Sequence, residues 1–138
     1  FTHVGKYQGR VAAANIAGRD LVANYDAVPA AVFTDPQVAM VGDTSGENAV
    51  AGKWAVEKVS RMSTFQDPKR PGFLKLFADP ERKVVVGAVA VGPEAGEWMG
   101  QITLAVRAAV PVATLRDTIQ PFPTFSEVVY FAARELDL

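Results

Sequence analysis

The sequence predicts an α+β domain, a mostly antiparallel sheet covered by helices, and three observations predict it. Two β-rich runs, Gly72-Phe-Leu-Lys-Leu-Phe-Ala78 and Lys83-Val-Val-Val-Gly-Ala-Val-Ala-Val91, flank Asp79-Pro-Glu-Arg82. That spacing is an antiparallel hairpin with a four-residue turn. The hydrophobic periods change along the chain from helical to strand-like and back to helical, an order that segregates helices from the sheet. The 138 residues are 49% hydrophobic and 21% charged, ordinary for one globular domain with a core of its own.

In chain order, Val4, Tyr7, Val11, Ala14, Gly18, Leu21 and Tyr25 recur at steps of three and four, which predicts a helix over 2–25. Gly9 and Gly18 weaken that helix by about 1 kcal/mol each relative to alanine. Pro29 opens an extended run to Phe33, Thr34-Asp-Pro-Gln37 is a turn, and 38–42 is a strand. Thr44-Ser-Gly-Glu47 has the spacing of a capping box and predicts a short helix to residue 51. A strand is expected over 54–62 and a loop over 67–72. The second hairpin strand is apolar on both faces, so it is expected to be central and covered on both sides. Gly87 within it marks a bulge or a close contact. Gly92-Pro93 opens a helix whose apolar stripe is Ala95, Trp98, Met99, Ile102, Ala105, Val106 and Ala109. A short helix over 112–118 and a last helix over 125–136 complete the chain.

Composition excludes several functions. Net charge is −1, with 14 basic and 15 acidic residues and no basic stripe, so nucleic acid is not an expected partner. There is no cysteine and a single histidine, which leaves no thiolate or multi-histidine metal site. The glycines fit neither dinucleotide-binding nor P-loop spacing. No apolar run reaches transmembrane length and no signal peptide is present, so no membrane partner is expected and a cytoplasmic location is. Reactive groups are too few for a complete enzyme.

The most constrained stretch is Thr118-Ile-Gln-Pro-Phe-Pro-Thr-Phe-Ser-Glu127. Pro121 and Pro123 fix two φ angles and remove two donors, which makes a rigid extended segment. Thr124 and Glu127 stand at capping-box spacing. Glu127 is the one candidate acid or base there, and the cap already gives it a structural role. His3 is read as a surface residue, and Glu94 and Glu97 as first-turn acids favoured by the helix dipole. Trp54 and Trp98 are read as core, and Lys69-Arg70 as solvated.

Four ordered motifs resemble the C-terminal part of the pyridine nucleotide–disulfide oxidoreductases, the family of dihydrolipoamide dehydrogenase, glutathione reductase and mercuric reductase. Phe1-Thr-His-Val-Gly-Lys-Tyr-Gln-Gly-Arg-Val-Ala-Ala-Ala-Asn15 is similar to the helix that ends that family's FAD domain. Val32-Phe-Thr-Asp-Pro-Gln-Val-Ala-Met-Val-Gly42 is similar to the opening of its dimerisation domain. Gly72-Phe-Leu-Lys-Leu76 and Gly87-Ala-Val-Ala-Val-Gly-Pro-Glu-Ala-Gly-Glu97 resemble two further family segments. The resemblance divides the chain into 1–26, the last helix of an FAD domain, and 27–138, a dimerisation domain.

The resemblance also implies a role for the rigid stretch. In the family a near-terminal His-Pro-Thr-x-x-Glu reaches the partner subunit's active site, where the histidine is the acid/base for a dithiol and the glutamate orients it. The matching run here is Phe122-Pro-Thr-Phe-Ser-Glu127, with Pro123, Thr124 and Glu127 in place and Phe122 where the histidine would be. A phenyl ring carries no proton to transfer. The implied parent is therefore an FAD-dependent NAD(P)H oxidoreductase acting on a quinone, metal ion or other acceptor, with a dihydrolipoamide dehydrogenase or mercuric reductase type as the alternative. The amides of Thr2, His3 and Val4 would face the flavin of the full-length parent, with Phe122 and Pro123 lining the cofactor site. The chain alone is expected to be inert, to bind neither FAD nor NAD(P)H tightly, and to form a homodimer through Val128, Val129, Phe131 and Ala132 with Trp98, Met99 and Ile102. A stand-alone structural or binding module is the competing reading. A dinucleotide-binding segment encoded upstream of Phe1 distinguishes the two.

Overall fold

A computed structural model describes residues 1–65 and 71–138. Most of the loop expected at 67–72, Lys69 and Arg70 included, lies outside the described residues. Five strands form one antiparallel sheet: β1 (Ala30–Val32), β2 (Gln37–Gly42), β3 (Val50–Ala55), β4 (Phe73–Asp79) and β5 (Val84–Gly92). Their spatial order is β1-β2-β5-β4-β3, which puts β5 at the centre as its composition requires. The helices are α1 (Thr2–Ile16), α2 (Ala95–Arg107), α3 (Val112–Asp117) and α4 (Glu127–Arg134). α2 packs on β2 and β5, α4 packs on β3 and β4, and α3 packs on α4.

The core lies between those helices and one face of the sheet. Ala39, Val41, Leu74, Leu76, Ala88 and Ala90 point into it, where they meet Trp98, Met99, Ile102, Val128, Val129 and Ala132. Burying each large aliphatic side chain there is worth about 1.5–3 kcal/mol. The opposite face, with Met40, Lys53, Lys75 and Val89 in register across four strands, is exposed or half-buried. Its lysines lie over aromatic rings, Lys53 Nζ 4.4 Å from the Phe73 centroid and Lys75 Nζ 4.9 Å from that of Phe77. Within this chain β5 is thus covered on one side rather than two. The apolar residues on its outer face reflect a strand in the middle of a sheet, not a second layer of helices.

The expected interface residues are corrected for the same reason. Val128, Val129, Ala132 and Ile102 are fully buried, and Trp98 and Met99 are nearly so. These six are the chain's own core and cannot be the main contact with another copy, while Phe131, the seventh, is half-buried against Trp54. A helical stripe identifies a buried face without saying what buries it.

Three other expectations change. The first helix ends at Ile16 instead of running to 25. Gly18 takes the left-handed conformation (φ 79°), and Arg19 N–H donates back to the Ala14 carbonyl at 3.0 Å. The Asn15 amide then pins Leu21, accepting from its N–H at 2.7 Å and donating to its carbonyl at 3.0 Å. The chain folds back so that Asn24 N–H donates to the Tyr7 hydroxyl and the Tyr25 ring meets the Tyr7 ring edge-on. Tyr25 therefore shares a side with Tyr7 by a fold-back and not by helical period.

The helix expected after Thr44 is a turn. Asp43 Oδ1 accepts from the Ser45 amide and hydroxyl, and Gly46 and Asn48 have positive φ, which stops a helix before β3 begins at Val50. These two hydrogen bonds, the side-chain one foremost, hold the Asp43 carboxyl below its ordinary value of 3.8. A carboxyl whose folded value is depressed contributes stability above the unfolded value, lost as pH falls through the folded one. The Asp43 carboxyl should accordingly titrate below pH 3.8 by carbon-detected NMR. Ser45→Ala should move its midpoint up, and an unmoved midpoint would show that the turn does not hold the charge.

The strand expected over 54–62 is replaced by β3, displaced towards the N-terminus, followed by two 3-10 turns, Val56–Lys58 and Ser60–Thr64. Val56, Val59 and Met62 are buried at steps of three, which is the 3-10 period. At Gly87 both expectations hold. The β4–β5 register shifts between Phe77 and Ala78, and a methyl at Gly87 would overlap the Asp43 backbone.

Candidate functional site

The Pro-rich stretch forms an arm between α3 and α4. It leaves α3 with the Thr118 hydroxyl donating to the Thr114 carbonyl at 2.6 Å. It re-enters the core at Phe125, whose ring meets Phe65 edge-on and lies 5.7 Å from the Arg61 guanidinium. Between these anchors Ile119 is 95% and Phe122 73% exposed, two large apolar side chains three residues apart on one outer segment. The Phe122–Pro123 bond is cis.

Half of the expected capping box forms. Glu127 Oε2 accepts from the Thr124 amide at 3.3 Å, while the Thr124 hydroxyl donates to the Pro121 carbonyl at 2.7 Å instead of serving α4. Ser126 stands at the helix N-cap, and α4 begins at Glu127 and ends at Arg134, two residues inside the expected span at each end.

Arm, α3 and α4 enclose a cleft of about 390 Å³ whose walls include Arg116, Asp117, Gln120, Phe122, Glu127 and Tyr130. Arg116 is committed to structure, its Nε donating to the Ala133 carbonyl at 2.9 Å and its second guanidinium nitrogen to the Leu136 carbonyl at 2.6 Å. It caps the carbonyl end of α4 with a positive charge. Charge-assisted bonds of this kind are worth about 1.5–3 kcal/mol. Arg116→Ala should therefore cost about 2 kcal/mol in urea unfolding, and a change within about 0.5 kcal/mol, the size of an ordinary surface substitution, would show that the cap is idle. Tyr130 accepts from Arg134 at 3.3 Å, and Phe131 stacks on Trp54 at 4.9 Å between centroids. Trp98 is core as expected, its indole N–H donating to the Pro93 carbonyl, and half-buried Trp54 belongs to the α4–β3 contact.

The structure therefore brings Glu127, Phe122 and Gln120 to one cleft. The other expected site residues lie at the start of α1. The amides of Thr2, His3 and Val4 are in its first turn, where no intrahelical acceptor exists. His3 Nε2 is 2.8 Å from the Pro29 carbonyl and its ring stacks on Phe1. The cavities that His3 lines share no residue with the arm's cleft. Among the described residues no group of three or more His, Cys, Asp or Glu is placed to hold a metal ion. Sequence reasoning missed Arg116 and Gln120. The available signals were an arginine in the last turn of a short helix and a lone amide in an otherwise apolar Pro-rich run.

A long N-terminal helix, a five-stranded antiparallel sheet with helices on one face and a rigid Pro-Phe-Pro arm before the last helix define a class of domain. The family model described as pyridine nucleotide-disulphide oxidoreductase, dimerisation domain, matches residues 28–133. The chain belongs to that family. It is 36% identical to dihydrolipoyl dehydrogenase 3 of Haloarcula marismortui, the match covering 96% of this chain and 28% of the relative. It is also 36% identical to a mercuric reductase of Shigella flexneri, over 97% of this chain and 24% of that protein. The crystal structure of LpdA from Mycobacterium tuberculosis superposes with a TM-score of 0.84 at 30% identity, over 92% of this chain and 29% of that one. The chain thus spans less than a third of the length of these relatives.

Proposed function

We propose that the chain is the dimerisation part of an FAD-dependent NAD(P)H oxidoreductase, with residues 1–26 the end of its FAD domain and 27–138 the dimerisation domain. The arm presents Phe122 to the partner subunit's flavin site, and the electron acceptor is a quinone, metal ion or other non-dithiol species. The observation that supports this reading is the geometry of the arm. Phe122 is held out of its own domain while the Glu127 carboxylate turns back to the Thr124 amide, so the arm has a rigid aromatic face and no acid/base pair.

The first-turn amides of Thr2, His3 and Val4 suit a polarised carbonyl such as that of an isoalloxazine ring, because a helix N-terminus favours negative charge. FAD, when bound, supplies two-electron transfer between NAD(P)H and the acceptor. This chain's residues orient and shield the site. The exposed Ile119 and Phe122 are contact residues for the second copy, in place of the buried stripe.

Sedimentation at micromolar concentration should give a dimer mass, and Ile119→Asp should return the monomer. A monomer for the unsubstituted chain would remove the dimer from the reading. The chain mixed with FAD, NADH or NADPH, and menadione should give no turnover. Robust turnover would overturn its assignment as a non-catalytic part.

A further inference from the structure

We propose that the open edge of β3 is a docking site for an extended acidic segment of another polypeptide, one whose acidic side chains alternate with apolar ones. The segment joins the sheet beyond β3 and sets its acids beside Lys53. The site lies apart from the arm and from the start of α1. No residue of β3 lines the arm's cleft or the cavities beside His3.

Three features converge. The strand order ends on β3, and among the described residues no backbone hydrogen bond outside the β3–β4 ladder reaches Val50–Ala55. One row of its N–H and C=O groups is open there, which is a template for a further strand. The outer face beside that edge is basic. Lys53 stands directly opposite Lys75, each ammonium lies over a ring, of Phe73 and Phe77 respectively, and among the described residues neither is paired with a carboxylate. Like charges directly opposite one another are destabilising, and an acid on the next strand offsets that. Ala51 and Ala55, the other outer-face residues of β3, are too small to shield Lys53 from it. The inner side of the same edge is apolar. Trp54 is half-buried there and stacked on Phe131, and Gly52 has no side chain. Exposed Glu135 and Asp137 flank Leu136, whose backbone lies against Gly52, so further acid is disfavoured on this side. Because strand side chains alternate, one added strand meets both faces when its acids point outward and its apolar groups inward. A second copy does not fit this edge. Two β3 strands paired about a two-fold axis bring their Lys53 side chains together on one face, a like-charge contact.

The test titrates the 138-residue chain with the end-blocked peptide Thr-Glu-Val-Glu-Val-Glu-Thr while the β3 amides are followed by NMR and hydrogen exchange. Three control peptides carry glutamine for glutamate, lysine for glutamate, or N-methyl groups on alternate residues. The glutamate peptide should shift the β3 amides and slow their exchange. It should bind about fivefold more tightly than the glutamine peptide and about tenfold more tightly than the lysine peptide, the size of one or two cross-strand charge pairs. The N-methylated peptide should not bind, because it cannot complete the ladder. Lys53→Ala should make the glutamate and glutamine peptides equal, and Lys53→Glu should reverse the order of the glutamate and lysine peptides. Equal binding of all the peptides, or shifts centred outside β3, would overturn the site. So would a glutamine peptide that binds only Lys53→Ala, which would show that the lysine serves to block the edge. Shifts of the β3 amides with protein concentration alone would give the edge to a second copy and overturn the proposal too.

Discussion

Gly52→Val should be among the most destabilising single changes in the chain, costing about 3 kcal/mol, the upper end for overpacking a well-filled core. Gly52 lies in β3 opposite Leu76, on the inner face of the sheet where α4 crosses. A Cβ there would overlap the Ala132 carbonyl oxygen and lie 2.9 Å from the Leu136 backbone nitrogen. Both are backbone atoms of the α4 C-terminal region, so no rotamer change relieves the clash and the helix must move. Moving it strains the Arg116 bonds to Ala133 and Leu136 and the Trp54–Phe131 stack together. Domains are stable by only about 5–15 kcal/mol, so the loss is a large share of the total. Urea unfolding of Gly52→Val against Lys53→Ala checks it. Lys53 is the neighbouring exposed residue on the outer face, and its change should stay within about 1 kcal/mol, the size of its contact with the Phe73 ring. Equal midpoints for the two variants would mean that α4 does not lie on β3 as closely as the geometry requires.

The second large effect is on activity, in the full-length parent. Phe122→His should raise turnover of a dithiol substrate by about 100-fold, the low end of what positioned acid/base catalysis contributes. The arm already has what an imidazole would need. Its backbone is held by Pro121 and Pro123, and Glu127, the first residue of α4, lines the same cleft. The gain should rise with pH as the imidazole loses its proton and becomes a base, above the free value of about 6.5 because the Glu127 carboxylate favours the charged ring. Phe122→Gln should give no gain. Adding Glu127→Gln to Phe122→His should remove most of it, because the carboxylate orients the ring and stabilises its charged form. No gain from Phe122→His, with reduction of the flavin by NAD(P)H intact, would show that the arm does not face the chemistry.

How far the site could be read from the chain depends on the kind of interaction. The arm was legible because proline acts through its own covalent geometry, whatever surrounds it. The Glu127–Thr124 contact was legible because it is three residues long. The rest of the capping box was not, because the Thr124 hydroxyl found a competing acceptor at Pro121 within the same turn. Arg116 and Gln120 were invisible for a different reason. One gains its role from carbonyls 17 and 20 residues away, and the other stands out by a buried side-chain nitrogen with no hydrogen-bond partner among the described residues.

The same division runs through the fold. By itself the sequence determined the α+β class, the β4–β5 hairpin with β5 at the sheet centre, and the helix after Gly92-Pro93. Each is written in local period and turn chemistry over about ten residues. Only the tertiary structure decided where the first helix stops, which stripe is core and which surface is left for a partner, and that β3 gives way to 3-10 turns. These outcomes depend on which face meets which. An apolar side chain gains the same free energy from any dry neighbour, so the pattern of burial is local while the identity of the partner is not.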